Sequence, residues 1–322
     1  MLSTIDVKPH ELDLLIGLAQ NITAVASESP DEFCRQARDL SEKIPVRIKL
    51  MLRHFIKHNS PTGFFLIRGL YTDPSLPPTP PTNIHKVGEN TIMAKIQAIM
   101  VHFMGGDMIA YEAEGYGRLF QDVVPDKAMA NNQTSIGSLT ELEIHTEQAF
   151  SKLRPDLLSL ACLRGDEAAI TYILPLDTIL DHLTVTEIEQ LKQPLWYTGV
   201  DLSFKLNGHD FIDGDIRGPM SILGSDEPTT LVFDQDLMYG VDDVADGLLR
   251  KIVDIYYTHR IGHVLKPGEI MIVDNRFAVH GRSPFFPRYD GSDRFLVRCF
   301  ATLDYERSAY ARIGRTVGAI YS

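Results

Sequence analysis

Downstream of Asp107 the chain breaks into short apolar runs, GRLFQDVVP, SLTELEIH, DLLSLACLRG, AAITYIL, TTLVFD, GEIMIVDN and DRFLVRCFAT, bounded by Gly, Pro, Asn or Asp. Runs of this length and spacing read as the strands of a sandwich or barrel. None approaches the roughly 18 to 20 apolar residues that a membrane-spanning helix needs. Two stretches with helical periodicity interrupt the series, TVTEIEQLKQ and VADGLLRKIVDIYYTHRIG.

The front of the chain has another texture. ELDLLIGLAQNI spaces its apolar residues for one helical face. SPDEFCRQARDLSEKIPVRIKLMLRHFIKH opens with Ser29 as an N-cap and Pro30 at the first helical position, and should break near Pro45. TGFFLIRGL reads as a buried strand, DPSLPPTPPT as a loop, and Thr91 to about Phe103 as a helix. Together these predict a mainly β protein with flanking helices, built on a double-stranded β-helix, the jelly-roll or cupin-like core. With no internal repeat and no clean linker, residues 1–322 are expected to form one domain. Residues 1–60 would pack on its core as a helical part, and residues 184–265 would carry the helical inserts.

A formal charge of −12, from 31 Lys and Arg against 43 Asp and Glu, argues against nucleic acid or an anionic membrane as partner, since both require a basic footprint. Cys34, Cys162 and Cys299 are odd in number and widely spaced, so they suggest neither a disulfide framework nor a CxxC zinc site. The opening MLSTIDVKPHELDLL lacks the basic and apolar regions of a secretory signal. The expectation is a cytoplasmic protein with a small-molecule partner.

Two kinds of residue stand out against this background. HTEQAF places His145 and Glu147 two apart after a strand-like run, where both would project from one face. His280 follows another buried run, GEIMIVDN. Two histidines and a carboxylate leave open positions on a metal, the arrangement of non-haem iron(II) oxygenases. A loop-capping His145 and an ordinary core His280 would fit the same spacing, and one His-x-acid match is within chance for this composition. In DRFLVRCF, alternation puts Arg294, Leu296, Arg298 and Phe300 on one face, with two cations about 13 Å apart in an otherwise apolar strand. A buried guanidinium cannot shed its proton, so each requires an anion opposite it, from the chain itself or from a ligand.

HTEQAF, RPDLLSLACLRG, GEIMIVDNRFAVHGRSPFFPR and DGSDRFLVR, with FFLIRGL ahead of a proline-rich loop, resemble the clavaminate synthase-like Fe(II)/2-oxoglutarate-dependent oxygenases of the taurine-dioxygenase superfamily. The resemblance runs from about Phe64 to Leu303. It implies that His145, Glu147 and His280 hold iron(II), and that dioxygen is consumed with 2-oxoglutarate as cosubstrate. Arg294 would pair with the far carboxylate of 2-oxoglutarate, and Thr171 would hydrogen-bond it. Arg298 would face the carboxylate of an amino-acid substrate and Glu114 its α-amine. Asp234, in a lid, would meet the distal end of the substrate, with Asp236 on the same face of an extended segment. Because Glu147 is present where related halogenases carry a small residue, hydroxylation is favoured. No catalytic group beyond the metal ligands is implied.

The implied reaction is hydroxylation of the β or γ carbon of a free L-amino acid with a basic or amide side chain, such as arginine, lysine, citrulline or asparagine. The same chemistry on an amino acid tethered to a carrier protein, or on a clavaminate-type biosynthetic intermediate, is the alternative, and a non-catalytic cupin-like binding protein a further one. Arg276 and Arg282 would organise the loop around His280 by pairing with nearby acids such as Asp274. Asn275 would support His280 with a hydrogen bond, as metal-bound histidines require.

Overall fold

The computed structural model describes residues 3–202, 204 and 215–321. Three helices, Pro9–Gln20, Pro30–Ser41 and Val46–Lys57, precede the first long strands. Ser29 and Pro45 are the N-cap residues of the second and third, so the proline does separate two helices. The helix Ile92–Phe103 is capped by Thr91, whose hydroxyl accepts from Ala94 N at 3.2 Å.

The sheets organise the rest. We number the strands β1 (Thr4–Asp6), β2 (Phe64–Arg68), β3 (Asp107–Tyr111), β4 (Gln121–Val123), β5 (Leu142–His145), β6 (Leu157–Arg164), β7 (Ile170–Pro175) and β8 (Trp196–Gly199). Next come β9 (Ile216–Met220), β10 (Met238–Gly240), β11 (Ile261–Val264), β12 (Ile270–Asp274), β13 (Ala278–Arg282), β14 (Phe295–Thr302), β15 (Arg312–Ile313) and β16 (Thr316–Val317). The large sheet runs β1-β2-β12-β6-β14-β3-β16-β15, with β4 also pairing β14. A four-stranded sheet runs β11-β7-β13-β5, and a three-stranded one β10-β8-β9.

Alternation along the strands sorts the core into layers. In β12, Ile270 and Ile272 join the cluster formed with the N-terminal helices, while Met271 and Val273 join the one with Ile173 and Ala278 of the four-stranded sheet. β14 behaves alike: Phe295, Val297 and Cys299 face the helices, and Leu296 and Phe300 face the other sheet. The far side of the four-stranded sheet, through Leu174 and Val279, packs on the helix Asp243–His259 through Ile252 and Tyr256. The result is a sheet-rich protein with helices on both outer faces and a space between two sheets.

The short runs predicted as strands fall on β4 to β7, β12 and β14 with ends shifted by a few residues. TTLVFD is an exception. It makes only isolated bridges, Leu223 to Leu231 and His145 to Asp234, because its backbone is shared between loops rather than laid along one strand. The chain then turns at once: Asp234 Oδ1 accepts from Leu237 N at 2.8 Å, so Asp234 and Asp236 do not share a face of one extended segment. All three cysteines are buried free thiols. Among the described residues no helix is long and apolar enough to cross a membrane.

Candidate metal centre and substrate cavity

The space between the two sheets is a cavity of 320 Å³ lined from both. Leu158 and Leu160 of β6 and Leu296 and Arg298 of β14 come from the large sheet, and Thr171, His145, His280 and Arg282 from the four-stranded one.

His145 and His280 are directly opposed in the antiparallel pairing of β5 and β13, and their rings lie 4.5 Å apart between centroids. Glu147 reaches the same place differently from the sequence-based expectation. β5 ends at His145, and Glu147 lies in the turn beyond, ahead of Gln148, whose φ of 54° is left-handed. The turn is pinned by Asn275, which accepts from Glu147 N at 2.8 Å and donates to the carbonyls of Glu147 and Pro155 at 3.2 and 2.8 Å. Asn275 therefore supports Glu147 rather than His280.

Ligand atoms of His145, Glu147 and His280 lie within 4.8 Å of one another, the one such cluster among the described residues. The donor set fits a metal ion. His145 Nδ1 donates to Glu143 O at 2.8 Å, which leaves Nε2 with its lone pair free. Glu147 Oε1 is 3.3 Å from His280 Nε2, and His280 Nδ1 has no partner. Burial pushes the Glu147 carboxyl up, but the Arg298 cation and His280 bring it down to about 2, so it stays ionised. Two imidazoles and one carboxylate suit iron(II).

Arg294 sits in the same cavity, 5% exposed, with no hydrogen-bond or ion-pair partner among the described residues. Its guanidinium lies 5.8 Å from the Phe285 ring, and burial pushes it down to about 10, still cationic at neutral pH. The buried Thr171 hydroxyl also has no hydrogen-bond partner among the described residues. Arg282, two residues past His280, meets no acid among the described residues. It donates to the carbonyls of Ser283 and Ser135 at 3.1 and 3.2 Å, because the strand sends it into the cavity wall rather than toward the loop acids. Arg276 does pair with Asp274, at 2.8 Å.

Arg298 is not free. Its Nη2 donates to Glu114 Oε1 at 2.5 Å, its Nε to Gln121 Oε1 at 2.9 Å, and its Nη1 to Glu147 Oε1 at 3.4 Å. Burial opposes its charge, but the carboxylates of Glu114 and Glu147 outweigh that and raise it above the usual arginine range. Glu114 Oε2 in turn accepts from Gln148 Nε2 at 2.9 Å. Gly115 has φ +58°, and a Cβ there would stand 2.2 Å from the Gln121 side chain, so the glycine makes room for that amide.

Asp201, Asp234 and Asp236 also line the cavity. Burial raises Asp234, and burial followed by the charge of Asp234 raises Asp201 well above the usual carboxylate range. Gln121, Gln148, Asp201 and Arg282 were not singled out as binding residues by sequence. Only Gln148, next to Glu147, and Arg282, next but one to His280, lay close enough to a motif to be found.

The family model of the taurine catabolism dioxygenase TauD, TfdA family matches residues 97–300. An L-lysine 3-hydroxylase of Catenulispora acidiphila is 47% identical over 97% of this chain and 88% of its own length. An L-asparagine oxygenase of Streptomyces coelicolor is 34% identical over 94% of this chain and 90% of its own. The crystal structure of an asparagine oxygenase in complex with Fe(II), 2S,3S-3-hydroxyasparagine and succinate superposes with a TM-score of 0.89 at 32% identity, covering 98% of this chain and 99% of that one. Fold, donor set and relatives together define an oxygenase dependent on iron(II) and 2-oxoglutarate. The chain belongs to the taurine catabolism dioxygenase TauD, TfdA family.

Proposed function

We propose that the protein hydroxylates a free L-amino acid with a basic side chain, L-lysine at its β carbon first. The observation that carries the reading is one cavity lined both by Arg294, a buried cation with no hydrogen-bond or ion-pair partner among the described residues, and by three acids, Asp201, Asp234 and Asp236. Arg294 and the Thr171 hydroxyl would receive the far carboxylate of 2-oxoglutarate, in a charge-assisted contact that removes the cost of an unpaired buried cation. His145, Glu147 and His280 would hold iron(II). Iron(II) held there would supply the oxidation in which dioxygen and 2-oxoglutarate convert C–H to C–OH with release of succinate and carbon dioxide.

The chain's own part is to hold the substrate still. Arg298 would take its carboxylate and Glu114 its ammonium. Asp234, helped by Asp236 and Asp201, would take a cationic side chain. Burial raises both Asp201 and Asp234, and the charges of Asp234 and Asp236 add to it in turn; a cationic side chain beside them offsets this, whereas a neutral amide does not. The 47% identical L-lysine 3-hydroxylase supports the same choice. An amino acid held as a thioester would offer Arg298 no charge. Asp201, Asp234 and Asp236 all come from residues 184–265, which supports that segment as a lid on a single oxygenase domain. We read the two facing sheets as a double-stranded β-helix, and place the protein in the cytoplasm, where three free thiols stay reduced.

The test is a panel of the twenty amino acids with ornithine and citrulline, iron(II) and 2-oxoglutarate, read by mass spectrometry. L-lysine should gain one oxygen with matching succinate, and no product from any basic amino acid would refute the reading. Asp234→Ala should lower kcat/KM for lysine by about 100-fold, about 3 kcal/mol, and for neutral amino acids far less. Uniform loss would instead mean a folding role.

A further inference from the structure

One oxygen of Glu147 has two claimants. Oε1 lies 3.3 Å from His280 Nε2 and 3.4 Å from Arg298 Nη1. The carboxylate oxygen turned toward the distal histidine, the side on which the three ligands converge, is thus also the one that the guanidinium holds. Arg298 is itself shared, between Glu114 at 2.5 Å, Gln121 at 2.9 Å and this oxygen, all in a buried site.

We propose that Arg298 links the amino-acid subsite to the metal site by exchanging partners. This rests on the reading of Arg298 and Glu114 as the substrate's backbone anchors. Without substrate, the guanidinium competes with the metal for Glu147 Oε1 and sets a positive charge beside it. An arriving amino acid brings one positive and one negative group. Its ammonium replaces Arg298 on Glu114, and its carboxylate takes Arg298 away from Glu147. Arg298 and Glu114 are then both paired, and Glu147 is left to the metal. A diamine without a carboxylate offers Arg298 nothing new, so Glu147 is not released. A carboxylate without an α-amine strips Glu114 of its cation and leaves a buried acid unpaired, which opposes binding.

Linkage makes the effect reciprocal: the amino acid tightens the metal as much as the metal tightens the amino acid. A coupling on the order of 10-fold, about 1.4 kcal/mol, lies within the usual range for linked sites.

The test measures Co(II) affinity of the metal-free full-length protein by competition with a chromophoric chelator, without 2-oxoglutarate and without turnover. Saturating L-lysine should tighten Co(II) about 10-fold. 1,5-Diaminopentane, 6-aminohexanoic acid and D-lysine, the last a control for chelation in solution, should not. Arg298→Gln should bind Co(II) more tightly than the parent in the absence of lysine and gain nothing from adding it. Unchanged Co(II) affinity with lysine, or equal tightening by the diamine, overturns the exchange even if lysine is hydroxylated. If Arg298→Gln does not fold, the ligand series on the parent protein decides alone. If the amino-acid panel finds a different substrate, the same titration is made with that amino acid, so the substrate reading and the coupling fail separately.

Discussion

Replacing Arg294 by methionine should have opposite effects on the empty protein and on the loaded one. The side chain is 5% exposed and has no hydrogen-bond or ion-pair partner among the described residues. In the empty protein its charge is therefore a net cost, as its lowered pKa of about 10 reflects. Exchanging such a buried charge for an apolar group of similar length stabilises by about 1–3 kcal/mol. At about 2 °C per kcal/mol for a chain of this size, Tm should rise by about 2–6 °C. In the loaded protein the same change removes a bidentate, charge-assisted contact. At about 1.5–3 kcal/mol for each of two such hydrogen bonds, the loss is about 3–6 kcal/mol, or on the order of 100- to 10,000-fold in 2-oxoglutarate affinity. Differential scanning fluorimetry with and without 2-oxoglutarate reads the first effect, and succinate formation against 2-oxoglutarate concentration reads the second. A variant with lowered Tm and unchanged 2-oxoglutarate dependence would show that Arg294 supports the fold and nothing else.

Two further outcomes test the frame around the site. Asn275→Ala removes the acceptor for Glu147 N and the donor to the Glu147 and Pro155 carbonyls, so metal affinity should fall about 10- to 100-fold in a Co(II) titration. Asp122 accepts from Val87 N and Gly88 N at 3.0 and 2.9 Å, and burial raises its pKa from 3.8 to about 6. The folded state thus holds this proton longer than the unfolded one, so the group's contribution to stability falls as pH rises from about 4 to about 6. Urea unfolding should show the parent losing about 2–3 kcal/mol relative to Asp122→Asn across that interval and nothing more above it.

The parts of the site legible in the sequence are those whose chemistry conflicts with their surroundings. Two arginines in an apolar run stand out because burying a cation is costly; alternation put both on one face, although β14 begins at Phe295 and Arg294 reaches the cavity from just ahead of it. The structure gives them different partners: Arg294 has none, whereas Arg298 is held by Glu114, Gln121 and Glu147. That difference depends on β14 pairing with β4, which brings Gln121 opposite Arg298, a long-range contact that no local pattern encodes. Glu147 was placed in the site for an incomplete reason. Period-two spacing from His145 suggested a shared strand face, but a turn pinned by Asn275, 128 residues away, does the work. Asp201 was missed because its meaning comes from burial and from the charge of Asp234, and a single aspartate in a loop carries no signal. TTLVFD misled because its composition suits a strand while its two bridges go to separate places, Leu223 in a loop and His145 at the end of β5.

The opposition of His145 and His280 across β5 and β13 has a consequence for how the protein is made. The two residues are 135 positions apart in the chain yet share one rung of one ladder. Slipping that rung by a single residue would send a histidine to the wrong side of the sheet. If His145 and His280 hold the ion as proposed, no early, locally folded portion of the chain can hold it, and loading must wait until the long-range pairing is complete. A cell making this protein is thereby spared half-built chains that carry reactive iron, and capture of metal during refolding would serve as a marker of the last closure step.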